Sequence, residues 1–208
     1  MRAAIKSDVT EDEYLDFETT AERKHEYVNG RIYAMAGGDP VHSLLSANVI
    51  VALGVALRDR PCTVHTSDLR VNVQATTLFT YPDVTVVCGQ IDRHPKSRTT
   101  IRNPVVVVEV LSPSTEAWDR GGKFAHYQKL PSLQEYVMVS QEGRRLERYR
   151  RLDTGEWALQ ALEGEGGSIS LISLGVELRI DDVYLKVELA APVKPPWAFK
   201  IAGDLEDS

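Results

Sequence analysis

Pro104-Val105-Val106-Val107-Val108-Glu109-Val110-Leu111-Ser112 places a carboxylate inside an otherwise apolar run. Consecutive valines, unlike valines alternating with polar residues, belong to a strand covered on both faces, and such a strand belongs to a layered α/β architecture. An ionised glutamate there costs several kcal/mol if it is left unpaired. Glu109 therefore either pairs with a buried Arg or Lys, or opens onto a cleft that takes a cation. The second reading makes it a candidate site residue.

Upstream, Tyr81-Pro82-Asp83-Val84-Thr85-Val86-Val87-Cys88 reads as a second strand, with proline at a position that needs no ladder donor. Asp83 alone is an ordinary turn aspartate. Beside Glu109 on an adjacent strand, however, it completes a carboxylate pair suited to a hard divalent cation. Downstream, Asp119 offers an N-cap to a helix carrying Phe124, Tyr127 and Leu130 and ended by Pro131. Lys123 on that helix is either a surface lysine or an ammonium reaching the same end of the sheet, where it orients water or stabilises charge on a phosphate. Residues 135–139, 145–152 and 156–162 then form an antiparallel meander, and residues 173–184 add a strand and a short helix.

Towards the N-terminus, Thr10 and Glu13 form a capping box for a short helix with Tyr14, Leu15 and Phe17. Asn29-Gly30 joins two short alternating segments in a tight hairpin. Glu26 lies in the first of them, as an exposed edge residue or as a further carboxylate of the site. Asp39 and Pro40 open a helix over residues 40–59, with Leu45, Val49, Ala52, Leu53, Ala56 and Leu57 recurring at helical spacing. His42 in its first turn is assigned a substrate contact. Residues 62–73 read as strand with a break near Ser67, and residues 89–103 as a loop or short helix.

The 208 residues are 43% hydrophobic and 26% charged, enough apolar material for a sizeable core. With no linker or repeat in the middle, the expectation is one domain over residues 1–190 followed by a Pro-containing tail over 191–208. No apolar stretch approaches the ~18 residues of a membrane span, and no apolar h-region follows the N-terminus. A cytoplasmic protein with Cys62 and Cys88 as reduced core thiols is expected. The formal net charge of −6 excludes a surface that grips nucleic acid everywhere but leaves room for local basic patches. Arg148 and Arg150, in the Arg-rich segment 144–151, are the candidate phosphate contacts, or else a solvated hairpin face.

The order Pro82-Asp83, Glu109-Val110-Leu111-Ser112-Pro113-Ser114-Thr115, Asp119, Lys123, Tyr127 and Glu135-Tyr136, together with the opening His25-Glu26-Tyr27-Val28-Asn29-Gly30 and His42, resembles the Uma-type endonuclease-like family of the PD-(D/E)XK superfamily. The resemblance runs from about residue 10 to 187. It implies an α/β restriction-endonuclease-like core, a mixed sheet flanked by helices, with Asp83, Glu109 and the Val110 carbonyl as ligands of Mg2+ or Mn2+. It further implies an endonuclease acting on nucleic acid, most naturally DNA, and a homodimer. The superfamily's usual lysine two residues after the glutamate is absent, since Leu111 stands there. Lys123 matches the relocated lysine of the Uma-type pattern and Glu26 its acidic position before the hairpin. A catalytically silent nucleic-acid-binding or assembly module on the same fold is the alternative.

Overall fold

The computed structural model describes residues 4–35 and 37–189. It opens with α1 (Glu11–Thr20), the hairpin β1 (His25–Val28) and β2 (Arg31–Ala34), and α2 (Pro40–Ala56). Strands β3 (Cys62–Thr66), β4 (Arg70–Val73), β5 (Leu78–Thr80), β6 (Val84–Cys88), β7 (Arg93–His94), β8 (Ser97–Ile101) and β9 (Val106–Leu111) follow. A π-helical turn (Trp118–Lys123) runs into α3 (Phe124–Tyr127), and the chain continues through β10 (Glu135–Ser140), β11 (Arg145–Arg151), β12 (Trp157–Glu163), β13 (Ser168–Leu171), β14 (Val176–Arg179) and α4 (Ile180–Val183). The expected tail at 191–208 lies outside the described residues.

Two mixed sheets form, with strand orders β2-β1-β5-β4-β8-β7 and β12-β11-β10-β9-β6-β3, beside the hairpin β13-β14. The valine run is β9, central in the second sheet, and every residue from Val106 to Leu111 is buried. Alternation along β9 divides the core. Val106, Val108 and Val110 meet Leu45, Val49 and Leu53 of α2. Val107 and Leu111 face the other way, onto Tyr127, Tyr136 and residues of the first sheet such as Val71 and Ile101. Each buried aliphatic side chain contributes roughly 1.5–3 kcal/mol, which is why a two-sided strand is written in valine. Glu109 belongs to the second face.

Local signals account for several boundaries. The Thr10–Glu13 capping box forms with both of its hydrogen bonds, and Asp39 caps α2 by accepting from the His42 amide. α2 ends at Ala56 rather than at residue 59, with Leu57 as its C-cap. Asn29 and Gly30 both take positive φ, 46° and 79°, as the two-residue hairpin requires.

Three expectations are corrected. Residues 89–103 contain the β7–β8 hairpin rather than a plain loop or helix. Asp119 is not a helix cap: the chain turns helical at Glu116, after a Ser112-based turn, so Asp119 lies inside the π-helical turn. Cys62 and Cys88 are not reduced thiols. They face each other in the β3–β6 register and are disulfide-bonded.

Candidate active site

β9 pairs antiparallel with β6 through Val84↔Val108, so Asp83, one residue before β6, sits beside the Glu109 end of β9. Its carboxylate is fastened there: Asp83 Oδ2 accepts from the Val110 amide at 2.8 Å and lies 3.2 Å from His42 Nε2. Val110 thereby acts through its backbone, and His42 reaches the site from the first turn of α2. The hydrogen bond to Asp83 is the main reason the His42 pKa is raised above the ordinary imidazole value, against a smaller opposing effect of burial.

Lys123 arrives by a different route. A π-helical turn is wider than an α-helical one and is a frequent feature of functional sites. Here Gly122 permits it, since a Cβ on Gly122 would stand 2.0 Å from Trp118 Cζ3, whereas one on Gly121 would meet nothing within 4 Å. The turn carries Lys123 into the interior, where Nζ lies 3.1 Å from Glu109 Oε1, 3.1 Å from Asp119 Oδ1 and 3.2 Å from Glu26 Oε1. Neither bland alternative describes these residues: Lys123 is 5% exposed, and Glu26 is 1% exposed although it stands on a short strand next to the sheet edge. Thr80 Oγ1 donates to Glu26 at 2.5 Å, Tyr127 donates to Glu109 Oε1 at 2.8 Å, and Tyr136 donates to the Asp119 carbonyl at 3.0 Å.

Burial pushes the Glu109 carboxyl well above the usual range. Lys123 pulls it down, and the neighbouring charges of Asp119 and Asp83 raise it further. For Lys123 burial alone would lower the pKa, but Glu109, Glu26 and Asp119 more than offset it, and the ammonium is held well above its ordinary value. Tyr127 and Tyr136 are raised as well, first by burial and then by Glu109, so both remain protonated donors.

Glu26, Asp83, Glu109, Val110, Lys123 and His42 all line one cavity of about 330 Å³. Asp83 Oδ1 and Glu109 Oε2 receive no hydrogen bond from the protein among the described residues. Those residues contain no group of three or more His, Cys, Asp or Glu side chains arranged to hold a metal ion. A two-carboxylate site of this kind suits Mg2+, which keeps several waters and binds through one or two carboxylates, better than it suits Ca2+ or Zn2+.

Arg148 and Arg150 are not brought to this cavity. Arg148 pairs with Val137, which pairs with Val108, so its side chain lies on the face of the sheet opposite to Glu109. Arg148 is buried, bonded to the Ser170 carbonyl and 3.6 Å from Glu135. Arg150 is half-buried on the same face. Asp119 joins the site without a distinctive mark in the sequence. Its i,i+4 spacing to Lys123 fits a helix cap or a surface pair as well as a buried one.

The chain is 40% identical over 173 residues to the uncharacterized protein slr1290 of Synechocystis sp., spanning 83% of this chain and 90% of that one. It is 32% identical over 169 residues to sll1609 of the same organism, spanning 81% and 96%. A solved structure, described as a putative nuclease belonging to DUF820 from Anabaena variabilis, shares the fold with a TM-score of 0.70 at 18% sequence identity, over 85% of this chain and 97% of that one. The described residues include no helix long and apolar enough to cross a membrane. The family model described as "Uma2: Putative restriction endonuclease" matches residues 11–181, and the chain belongs to that family.

Proposed function

We propose that the protein is a metal-dependent endonuclease that hydrolyses phosphodiester bonds in DNA. The observation that carries this reading is the position of Lys123 Nζ, 3.1 Å from Glu109, in a cavity that Glu109 shares with Asp83. Asp83 and Glu109 would hold Mg2+ or Mn2+, with the Val110 carbonyl as a backbone ligand. When bound, such an ion polarises a phosphoryl oxygen and lowers the pKa of a coordinated water. Lys123 supplies a permanent ammonium donor that orients the attacking water or stabilises charge building on the phosphate. Glu26 and Asp119 keep the ammonium in place and protonated. His42 and the Val110 amide orient Asp83.

Membership of an endonuclease family and the nuclease-like fold support this reading. A silent nucleic-acid-binding module is the second reading, favoured by one observation: Leu111 stands two residues after Glu109, where the superfamily's usual pattern places its lysine. Incubation of plasmid DNA with Mg2+ or Mn2+, with EDTA and with Asp83→Asn as controls, decides between them. Nicking or linearisation that requires both metal and Asp83 supports the enzyme. Binding of DNA without any cleavage in either metal makes the silent module the better account.

A further inference from the structure

Beyond His42 the cavity at the acid cluster continues into a second one of about 550 Å³. Met35, Gly37, Gly38, His42 and Asp83 line both, so the two form one continuous trench. The chemistry changes along its length. The first part is acidic, lined by Glu26, Asp39, Asp83 and Glu109. The second carries Arg23, Lys24 and the residues Ser43, Ser46, Thr66 and Ser67, and its one acidic residue is the shared Asp83. Lys24 Nζ is committed to Asp68 Oδ1 at 2.6 Å and to the Ser67 carbonyl at 2.9 Å. Arg23 is exposed and makes no hydrogen bond or ion pair among the described residues. An acid cluster able to hold a cation, opening at one end onto a free guanidinium among hydroxyl-bearing residues, matches a polyanion with one phosphate at the acids and its neighbours along the basic arm.

We propose that this second cavity is the track for the nucleic-acid strand flanking the scissile phosphate, with Arg23 as its phosphate-contacting cation. The inference rests on the nuclease reading and adds to it the side on which the strand leaves the acid cluster: past His42 and the first two turns of α2, towards Thr66 and Ser67. It also relocates the phosphate contacts from the Arg148–Arg150 face to the opposite end of the chain.

The test is fluorescence anisotropy of labelled duplex and single-stranded DNA in EDTA, where cleavage is blocked, as a function of salt. Arg23→Glu is expected to weaken binding at low salt by about tenfold and to flatten the dependence of log K on log salt by about one to two, because one phosphate contact is lost and a repulsion gained. Arg23→Gln, which removes the charge without reversing it, flattens the slope by about one. Arg179→Glu, outside both cavities, leaves affinity and slope unchanged. Arg23 is exposed, so both of its variants should unfold at the wild-type temperature, which separates lost contact from lost fold. Wild-type affinity and slope in Arg23→Glu overturn the track while leaving the nuclease reading standing. A wild type that binds neither probe yet cleaves DNA in Mg2+ also overturns the track alone, whereas a wild type that neither binds nor cleaves overturns both.

Discussion

Replacing Lys123 by Met retains much of its length and apolar stem but deletes the charge that Glu26, Glu109 and Asp119 approach at 3.1–3.2 Å. Removing one partner of a buried ion pair typically costs roughly 3–5 kcal/mol, because the remaining charge is left uncompensated. At about 2–4 °C per kcal/mol for a chain of this size, the metal-free variant should melt about 6–20 °C below the wild type at pH 7. The loss should depend on pH. With the ammonium gone, Glu109 keeps a folded pKa above its unfolded value, so its contribution is present below the unfolded pKa of about 4.3 and is lost as pH rises towards the folded value. Lys123 in the wild type is also raised, and its contribution persists up to the unfolded lysine pKa of about 10.4 before falling away. The gap between the two proteins should therefore be small near pH 4.5 and widest between pH 7 and 9. Differential scanning calorimetry in EDTA across that range measures it. A variant melting within about 2 °C of the wild type at pH 8, where breaking a buried pair should cost several times that shift, would show that the ammonium does not balance the buried acids.

Glu109→Gln removes a buried group whose pKa is raised by its surroundings, so in EDTA at pH 7–8 its melting temperature should equal or exceed that of the wild type, while the stabilisation by Mg2+ disappears. A wild-type-sized Mg2+ shift in this variant would remove Glu109 from the metal site. Gly122→Ala should lower turnover on DNA at least about tenfold by displacing the turn that carries Lys123, whereas Gly121→Ala leaves turnover within about twofold, as expected for a reacting group moved by an ångström or not at all. Equal activities would show that the π-helical turn is not what positions the lysine. Reduction of Cys62–Cys88, or the double Cys→Ser variant, should cost roughly 3 kcal/mol for a crosslink spanning 26 residues, read as a fall in the urea midpoint. A midpoint unchanged by dithiothreitol would mean that the crosslink adds nothing to the fold.

The parts of the fold legible from sequence are those governed by neighbouring residues. Two-sided burial of β9 is stated by its own composition, the β1–β2 turn by Asn29-Gly30, and the start of α2 by Asp39-Pro40, because each depends on interactions within a few positions. The unreadable parts depend on register between distant segments. Cys62 and Cys88 become partners only when β3 pairs with β6 so that the two residues are opposite, and nothing near either cysteine encodes that pairing. Arg148 and Arg150 sit in a segment whose run of arginines suggests a solvated face, yet the alternation that puts Leu146 into the core also turns both onto the α2 side of the sheet. Polar residues 93–101 lack a clear alternating pattern, so β7 and β8 are visible only once β8 is paired with β4. The depth of Lys123 was hidden for a similar reason. Two glycines inside a helix read as a weakness in its first turn, whereas here one of them, Gly122, admits the Trp118 ring in the turn that buries the lysine.

The charge balance of the cluster bears on the choice between an enzyme and a silent module. One buried ammonium requires one buried carboxylate for neutrality, yet Lys123 meets three, and a fourth, Asp83, is held next to Glu109 by the Val110 amide and His42. Each additional carboxylate raises the energy of the others: the Glu109 pKa is elevated first by burial, and the charges of Asp119 and Asp83 push it further in the same direction. A module needing only the fold would be more stable with some of these acids replaced by neutral groups, as buried charges commonly allow. The excess negative charge becomes favourable when a divalent cation shares the cavity, which couples the stability of the folded chain to metal binding. The same coupling gives the two readings opposite signatures in a single titration. In the enzyme, Mg2+ stabilises the wild type and Asp83→Asn is the more stable protein in EDTA but gains little from the ion. In a silent module Mg2+ changes neither melting temperature, and the surplus acids are a cost that nothing in the cavity offsets.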